Sequence, residues 1–318
     1  MRLMKYICLF SIVALMSLGC SRVKKSEEKG PNSVYYWKTT FELDSFEVSF
    51  LEKHNIERIY MRMFDVALQR DILYGEEGIE PIATTKFISQ VPENIEIVPV
   101  TYITLGALKK MQNCDTDYAS LIVERLLAMC NYNKCGEIKE IQFDCDWTET
   151  TKFTYDDLCR KARAILAERG IKLSATIRLH QLREMPPPVD KGVLMLYNTG
   201  SLKGPETRNS ILDIKNVKPY MKKKKLYRLP LAYAYPLFGW GVKFKDDKFV
   251  SIVSESDSVS AENEYIRRER PTYPEIYKVK AFVESRLGQP TCGNILYHLD
   301  DEQLKNYTDE EIDKILAY

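Results

Sequence analysis

Apolar and polar positions alternate in short β-rich runs along most of the chain, and helix-like segments separate them. The runs are "SVYYWKTTF" (33–41), "IERIYMRMF" (56–64), "IEIVPVTYI" (95–103), "EIQFDCDW" (140–147), "KLSATIRLH" (172–180), "GVLMLYN" (192–198), "RLPLAYAYPLF" (228–238) and "NILYHL" (294–299). Helical patterning marks 45–55, 83–91, 117–130, 154–169, 209–224, 273–287 and 308–317. In the fourth of these Thr154 is placed as N-cap and Gly170 lies just past the end, while His54 ends the first and is expected at the surface. The interval "QLREMPPPVDK" is too short and proline-rich for a full helix. Eight strands with mostly helical connections predict an α/β fold, a single-domain (β/α)8 barrel over 33–318, with one irregular crossover and an insertion near 242–262.

Two strands sort their alternation by chemistry. In "KLSATIRLH", Leu173, Ala175, Ile177 and Leu179 oppose Ser174, Thr176, Arg178 and His180; in "IQFDCDW", Ile141, Phe143 and Cys145 oppose Gln142, Asp144 and Asp146. A barrel strand gives its outer face to the helices, so the polar sets point at the barrel axis. Barrel interiors are ordinarily filled with Val, Ile and Leu, and a buried carboxylate without a partner is costly. Polar residues near the C-terminal strand ends therefore predict a site at the mouth. The residues gathered there are Trp37, Arg62, Asp65, Tyr102, Asp144, Asp146, Arg178, His180, Tyr197, Asn198, Tyr233, Tyr235 and His298, with Trp240 just beyond the seventh strand. Aromatic rings beside carboxylates and amides suit a carbohydrate, whose C–H faces stack on Trp and Tyr while its hydroxyls need polar partners. Taken singly, Tyr102, Tyr233 and Tyr235 also fit barrel filling, and Arg178 also fits neutralisation of Asp144 or Asp146.

Composition narrows the partners. With 46 basic and 45 acidic residues, nothing points to nucleic acid, and the run Lys222 to Lys225 reads as a solvated helix end. Residues 1–19 carry Arg2, Lys5, an apolar run and small residues before Cys20, the build of an export signal. "SLGCS" resembles the lipobox of bacterial lipoproteins, which implies a lipid anchor on Cys20, although Ser17 stands where Leu is most frequent and Ser17-Leu18-Gly19 also fits an ordinary cleavage site. Residues 20–32 then form a polar tether, whose Lys25 and Glu27-Glu28 are similar to the acidic tag of surface lipoproteins of the Bacteroidetes. The resemblance implies a cell-envelope protein anchored to the membrane, at the outer membrane and surface-exposed. Of eight cysteines, six lie beyond the leader with no CxxC pair, so no zinc spacing is present. Export makes disulfides possible, with Cys130 and Cys135 across "NYNK" as the local candidate and free buried thiols as the alternative.

Asp144-Cys145-Asp146-Trp147 resembles the D-x-D-W core of the fourth-strand motif D-G-x-D-x-D-W-E of family 18 glycoside hydrolases, the chitinases and endo-N-acetylglucosaminidases. "LMLYNTG" (194–200) is similar to their sixth-strand M-x-Y-D-x-x-G, with Met195 and Tyr197 matching and Asn198 replacing the Asp; "YPLFGWG" is loosely similar to P-x-Y-G-R. The resemblance implies a substrate-assisted mechanism, in which a glutamic acid protonates the leaving oxygen and the substrate's acetamide attacks the anomeric carbon, an exception to the two-carboxylate rule. In this register the acid position falls on Thr148, and Glu149 lies one residue later, on the opposite face unless a bulge or the strand's end turns it back. A second register puts Gln142, Asp144 and Asp146 on the three inward positions and makes Asp146 the acid, with about 1.5 Å less reach than Glu.

Three functions stand against one another. A glycoside hydrolase would use Asp146 or Glu149 as acid, Asp144 to raise its pKa, Tyr197 and Asn198 to orient substrate, and Trp37 and Trp240 as sugar platforms, with Arg62, Asp65, Gln142, Arg178, His180, Tyr235 and His298 as further contacts. A glycan-binding or scaffold lipoprotein would keep the barrel without the acid, which Thr148 favours. A metal-dependent hydrolase on Asp144, Asp146, His180 and His298 has suitable ligand types but no ligand spacing, and a cation at Arg178 beside it. Neither a metal nor a cofactor is expected.

Overall fold

Eight parallel strands close on themselves: β1 (Ser33–Tyr36), β2 (Arg58–Arg70), β3 (Glu96–Ile103), β4 (Glu140–Asp144), β5 (Lys172–Ile177), β6 (Lys191–Met195), β7 (Leu231–Pro236) and β8 (Asn294–Tyr297). β1 pairs with β8 on one side and β2 on the other, so the sheet has no free edge and the chain is a (β/α)8 barrel. The computed structural model describes residues 30–70, 77–112, 114–222, 227–259 and 261–318. The expected export signal and most of the tether lie outside these residues, as does most of the lysine run after 222.

All eight expected strands form. β2 is longer than its apolar run suggests, because its second half leaves the barrel and pairs antiparallel with Glu77–Ile82. A register shift between Arg62 and Phe64, the signature of a bulge, brings Arg62 and Asp65 to the same side.

Around the strands pack α1 (Ser45–Lys53), α2 (Leu105–Met111), α3 (Tyr118–Tyr132), α4 (Lys152–Ala167), α5 (Ile214–Val217), α6 (Tyr273–Leu287), α7 (Asp301–Leu304) and α8 (Asp309–Leu316). α6 has the predicted bounds, α1 and α8 start under capping boxes, and α2 was not expected. The crossover after β5 is only the 3₁₀ turn Leu179–Arg183, as the prolines required.

Four expectations are corrected. Residues 83–91 are not helical: Lys86–Phe87 pairs with Thr40–Phe41, and Thr85 is spent on the Arg62 carbonyl. The expected helix at 209–224 is reduced to α5 and a 3₁₀ turn, because the Asn209 side chain accepts from the N–H groups of Ile211 and Leu212 and holds a turn instead. The N-cap of α4 is Thr151, not Thr154. His54 is buried, its Nδ1 2.7 Å from Asp313 Oδ1 on α8.

The insertion expected at 242–262 is an antiparallel sheet of Trp240–Lys245, Lys248–Val253 and Glu264–Glu269. Asp246 and Asp247 make its first turn with φ of 48° and 59°, the left-handed pair that a tight hairpin needs.

The barrel interior mixes aromatic and polar side chains with aliphatic ones such as Val100, Val193 and Ala234. Tyr35 and Tyr60 face each other with ring centroids 5.0 Å apart, and Tyr35 donates to Gln142 Oε1 at 2.6 Å. Beneath them lies a charge layer: the buried Lys191 Nζ is 2.5 Å from the buried Glu140 and donates to the Tyr60 hydroxyl at 3.2 Å, while the partly exposed Arg58 pairs with Glu96 at 3.0 Å. This layer fills the N-terminal end of the barrel interior, and the polar strand ends lie at the C-terminal mouth.

Candidate functional site

β4 and β5 build the centre of the mouth. Gln142, Asp144 and Asp146 do line one side, as the alternation requires. Gln142 is used up within the barrel, accepting from Tyr35 and donating to Ser174 Oγ at 3.3 Å. Asp144 is 3% exposed; its Oδ1 accepts from Thr176 Oγ1 at 2.6 Å and from Arg178 Nη2 at 3.1 Å. Burial pushes the Asp144 pKa up, and the Arg178 charge and the Thr176 hydrogen bond only partly oppose it. The Arg178 Nε donates to Asp146 Oδ1, so one guanidinium bridges both aspartates. Burial opposes the Arg178 charge, yet Asp144, Tyr197 and Asp146 more than offset it and hold its pKa well above the usual value.

Asp146 differs from Asp144 in access. Its side chain is 42% exposed and borders a cleft of about 250 Å³ with Arg178, His180, Tyr197, Asn198 and Tyr220. Arg178 also lies over the Tyr197 ring, 5.9 Å from its centroid. Asn198 holds φ 54°, a left-handed conformation that asparagine tolerates. His180, exposed, reaches this cleft from the 3₁₀ turn rather than from the strand, which ends at Ile177.

An aromatic wall occupies the opposite side. Trp37 and Tyr297 have centroids 5.8 Å apart, Tyr297 meets Tyr197 at 4.5 Å and Phe238 at 5.6 Å, and Phe238 meets Trp240 at 5.3 Å. Arg62 lies over Trp37 at 5.8 Å and donates to both oxygens of Asp65, at 2.8 and 2.5 Å. Tyr102 stands on the β3 side of the aspartates; burial, then Asp146 and Asp144, push its pKa up to about 12. His298, at the end of β8, keeps a buried Nδ1 without a partner, and burial lowers its pKa.

The structure moves three expected residues elsewhere. Tyr235 is outside the barrel, under the Lys280 ammonium of α6 at 5.6 Å, and Tyr233 donates to the Gly288 carbonyl beyond the same helix. The inward positions of β7 belong to Ala232, Ala234 and Pro236, because the true parity is one residue off the expected one. Glu149 is exposed in the turn before α4 and does not border the cleft. Thr148 lies in the same turn, its N–H donating to Thr151 Oγ1 at 3.0 Å and its hydroxyl 3.0 Å from Thr150 Oγ1. Trp147, between them and Asp146, is buried on the outer face against Tyr155 of α4. Asp144, Asp146, His180 and His298 do not converge: among the described residues no such group of three or more could hold a metal ion.

Residues not anticipated complete the mouth. Tyr35, Phe238 and Tyr297 could have been suspected from their aromatic strand-end positions; Glu269 gives no local sign. Fully buried, Glu269 accepts from the Ser210 N–H at 2.9 Å and its hydroxyl, from Trp240 Nε1 at 3.0 Å and from Arg267 Nε at 2.6 Å. Arg267 in turn donates to the carbonyls of Leu202 and Gly204. The inserted sheet is thereby tied to the loop after β6, which carries Asn198 and Thr199. Glu269→Gln is expected to cost about 1 kcal/mol of stability and to raise amide exchange over 199–213, read by thermal melting and hydrogen exchange.

No protein-family model matches the sequence, and no curated protein sequence matches it. Solved structures do share its fold. A chitinase from Chromobacterium violaceum superposes with a TM-score of 0.58 at 11% identity, over 91% of this chain and 99% of that one. The family 18 chitinase ChiB from the chitin utilization locus of Flavobacterium johnsoniae gives 0.54 at 12%, over 91% and 94%. A chitinase-like agglutinin from Robinia pseudoacacia gives 0.50 at 11%, over 89% and 98%. The barrel is glycosidase-like in fold, and identities this low speak to the fold alone.

Proposed function

We propose that this chain is a carbohydrate-binding barrel that holds a glycan at its mouth without cleaving it. The observation that carries this reading is the Arg178 bridge across Asp144 and Asp146. A general acid must present a proton to the leaving oxygen, whereas here an Asp146 oxygen accepts an N–H from Arg178 and Asp144 is shut beneath the same guanidinium. Thr148, in the acid position of the first register, has no carboxyl and points into the turn. The aromatic wall and the polar cleft supply the two kinds of surface that a pyranose needs, and both aspartates beside them are engaged by Arg178. That a chitinase-like agglutinin shares the fold is consistent with binding as an end in itself.

One observation favours hydrolysis instead: Asp146 keeps an accessible carboxyl in the cleft. Calorimetric titration and product analysis with chitin-type, N-glycan and plain glucan oligosaccharides separate the two. Binding with no product is the expected result, and Thr148→Glu should create no turnover. Product formation that Asp146→Asn abolishes would overturn the binding reading. Neither binding nor product on any of them would remove the carbohydrate assignment itself.

We further infer that Cys20 carries a lipid and that the mouth faces away from the membrane. Gly30 lies against the backbone of Cys292 and Gly293, where β8 begins, and Tyr318 donates to its carbonyl at 3.2 Å. The tether therefore joins the barrel at the end opposite the mouth, which supports this orientation. Labelling with a radioactive fatty acid tests the anchor: Cys20→Ser should lose the label, and a labelled variant would refute it.

A further inference from the structure

Helix α3 ends in a turn that folds the chain back on itself. Lys134 is left-handed at φ 54°, its N–H donates to the Asn131 carbonyl at 3.3 Å, and the Cys135 N–H donates to the Cys130 carbonyl at 2.9 Å. This is the double closure of a Schellman motif, in which the side chains flanking the longer hydrogen-bonded loop meet over the helix end. Here those side chains are Cys130 and Cys135, both buried and both free thiols. We propose that Cys130 and Cys135 form a disulfide site that closes over the end of α3 when the chain meets an oxidised dithiol or glutathione disulfide.

The two cysteines differ in access. Cys135 borders an open cleft of about 520 Å³ at the N-terminal end of the barrel, with Arg58 and Lys139 also on its walls. Cys130, on the buried face of α3, does not. Exchange therefore starts at Cys135, whose thiolate attacks one sulfur of the oxidant and expels the other as a thiol. Cys130 then gives up its proton and attacks Cys135 Sγ, forming the internal S–S bond and releasing the second thiol. The two cysteines lose two electrons and two protons, which the oxidant gains as two thiols. Two thiols brought together by the local backbone need little rearrangement to bridge, in contrast to a pair whose α-carbons must first approach.

Lys134 makes the test direct, since trypsin cuts between the two cysteines. The full chain is refolded in a glutathione disulfide buffer, denatured, alkylated without reduction and digested. The expected product is "LLAMCNYNK" linked to "CGEIK", two hydrogens lighter than the sum of the separate peptides and free of alkyl groups. Reduction should lower the Tm of the oxidised protein by about 4 °C and leave Cys135→Ser unmoved. Recovery of both peptides alkylated after equilibration, or a bridge from either cysteine to Cys145, Cys159 or another cysteine, overturns the proposal. The result does not depend on whether the mouth binds a glycan.

Discussion

Replacing Arg178 with methionine is expected to lower stability by about 3 to 5 kcal/mol at pH 7, because it removes the guanidinium that pairs with the buried Asp144 carboxyl. Thr176 would remain its one hydrogen-bond donor. The sign of the pH dependence follows from the direction of the Asp144 shift. Its pKa in the folded protein is already raised by burial, and removing the opposing guanidinium raises it further. Between the unfolded and folded values the native state then binds more protons than the unfolded one, so the contribution of this group falls as pH rises. The deficit of Arg178→Met should be full above the raised folded pKa and shrink as pH drops through it. Adding Asp144→Asn, which cannot ionise, should recover most of the loss at pH 7 and flatten the pH profile. Urea unfolding of the single and double variants at several pH values measures all three effects. A loss independent of pH, unrelieved by Asp144→Asn, would mean that Arg178 matters through packing and not charge.

The same guanidinium shows what was legible in the sequence. Strand-period alternation in "IQFDCDW" and "KLSATIRLH" named Gln142, Asp144, Asp146, Thr176 and Arg178 as inward, because polar and apolar residues separated cleanly there. β7 offered no such contrast. In "LAYAYP" both faces are buried and nearly all residues are apolar or aromatic, as in any parallel strand covered on two sides, so its parity could not be read and Tyr235 was assigned to the wrong face. The same ambiguity at "LYHL" leaves His298 and Tyr297 indistinguishable by pattern, and it is Tyr297 that stands at the junction of the aromatic wall. Glu269 gives no sign for a different reason: besides Arg267, two residues away, its partners Ser210 and Trp240 lie 59 and 29 residues away, and no local pattern marks a buried acid of that kind. Residues 83–91 are extended rather than helical because β2 runs on into a hairpin with Glu77–Ile82, after which Thr85 bonds to the Arg62 carbonyl and Lys86–Phe87 pairs with Thr40–Phe41.

If the aromatic wall is the binding surface, Trp37→Ala should weaken glycan affinity by about 30-fold, roughly 2 kcal/mol, the scale of losing a central aromatic anchor. Trp37 is only partly buried and stacks under Arg62, so its removal also frees the Arg62–Asp65 pair from its aromatic seat. Trp37→Phe keeps a flat face in place and should retain most of the affinity. Fluorescence gives an independent reading, because the chain has three tryptophans and Trp147 is sealed against α4 outside the barrel. A ligand at the mouth can perturb only Trp37 and Trp240 by contact. Trp37→Ala should therefore remove part of the ligand-induced change, and a variant that also replaces Trp240 should remove nearly all of it. Undiminished affinity in Trp37→Ala, with the full fluorescence change retained, would shift the ligand off the wall and into the Asp146 cleft, leaving Arg178, Asn198 and Tyr220 as its contacts.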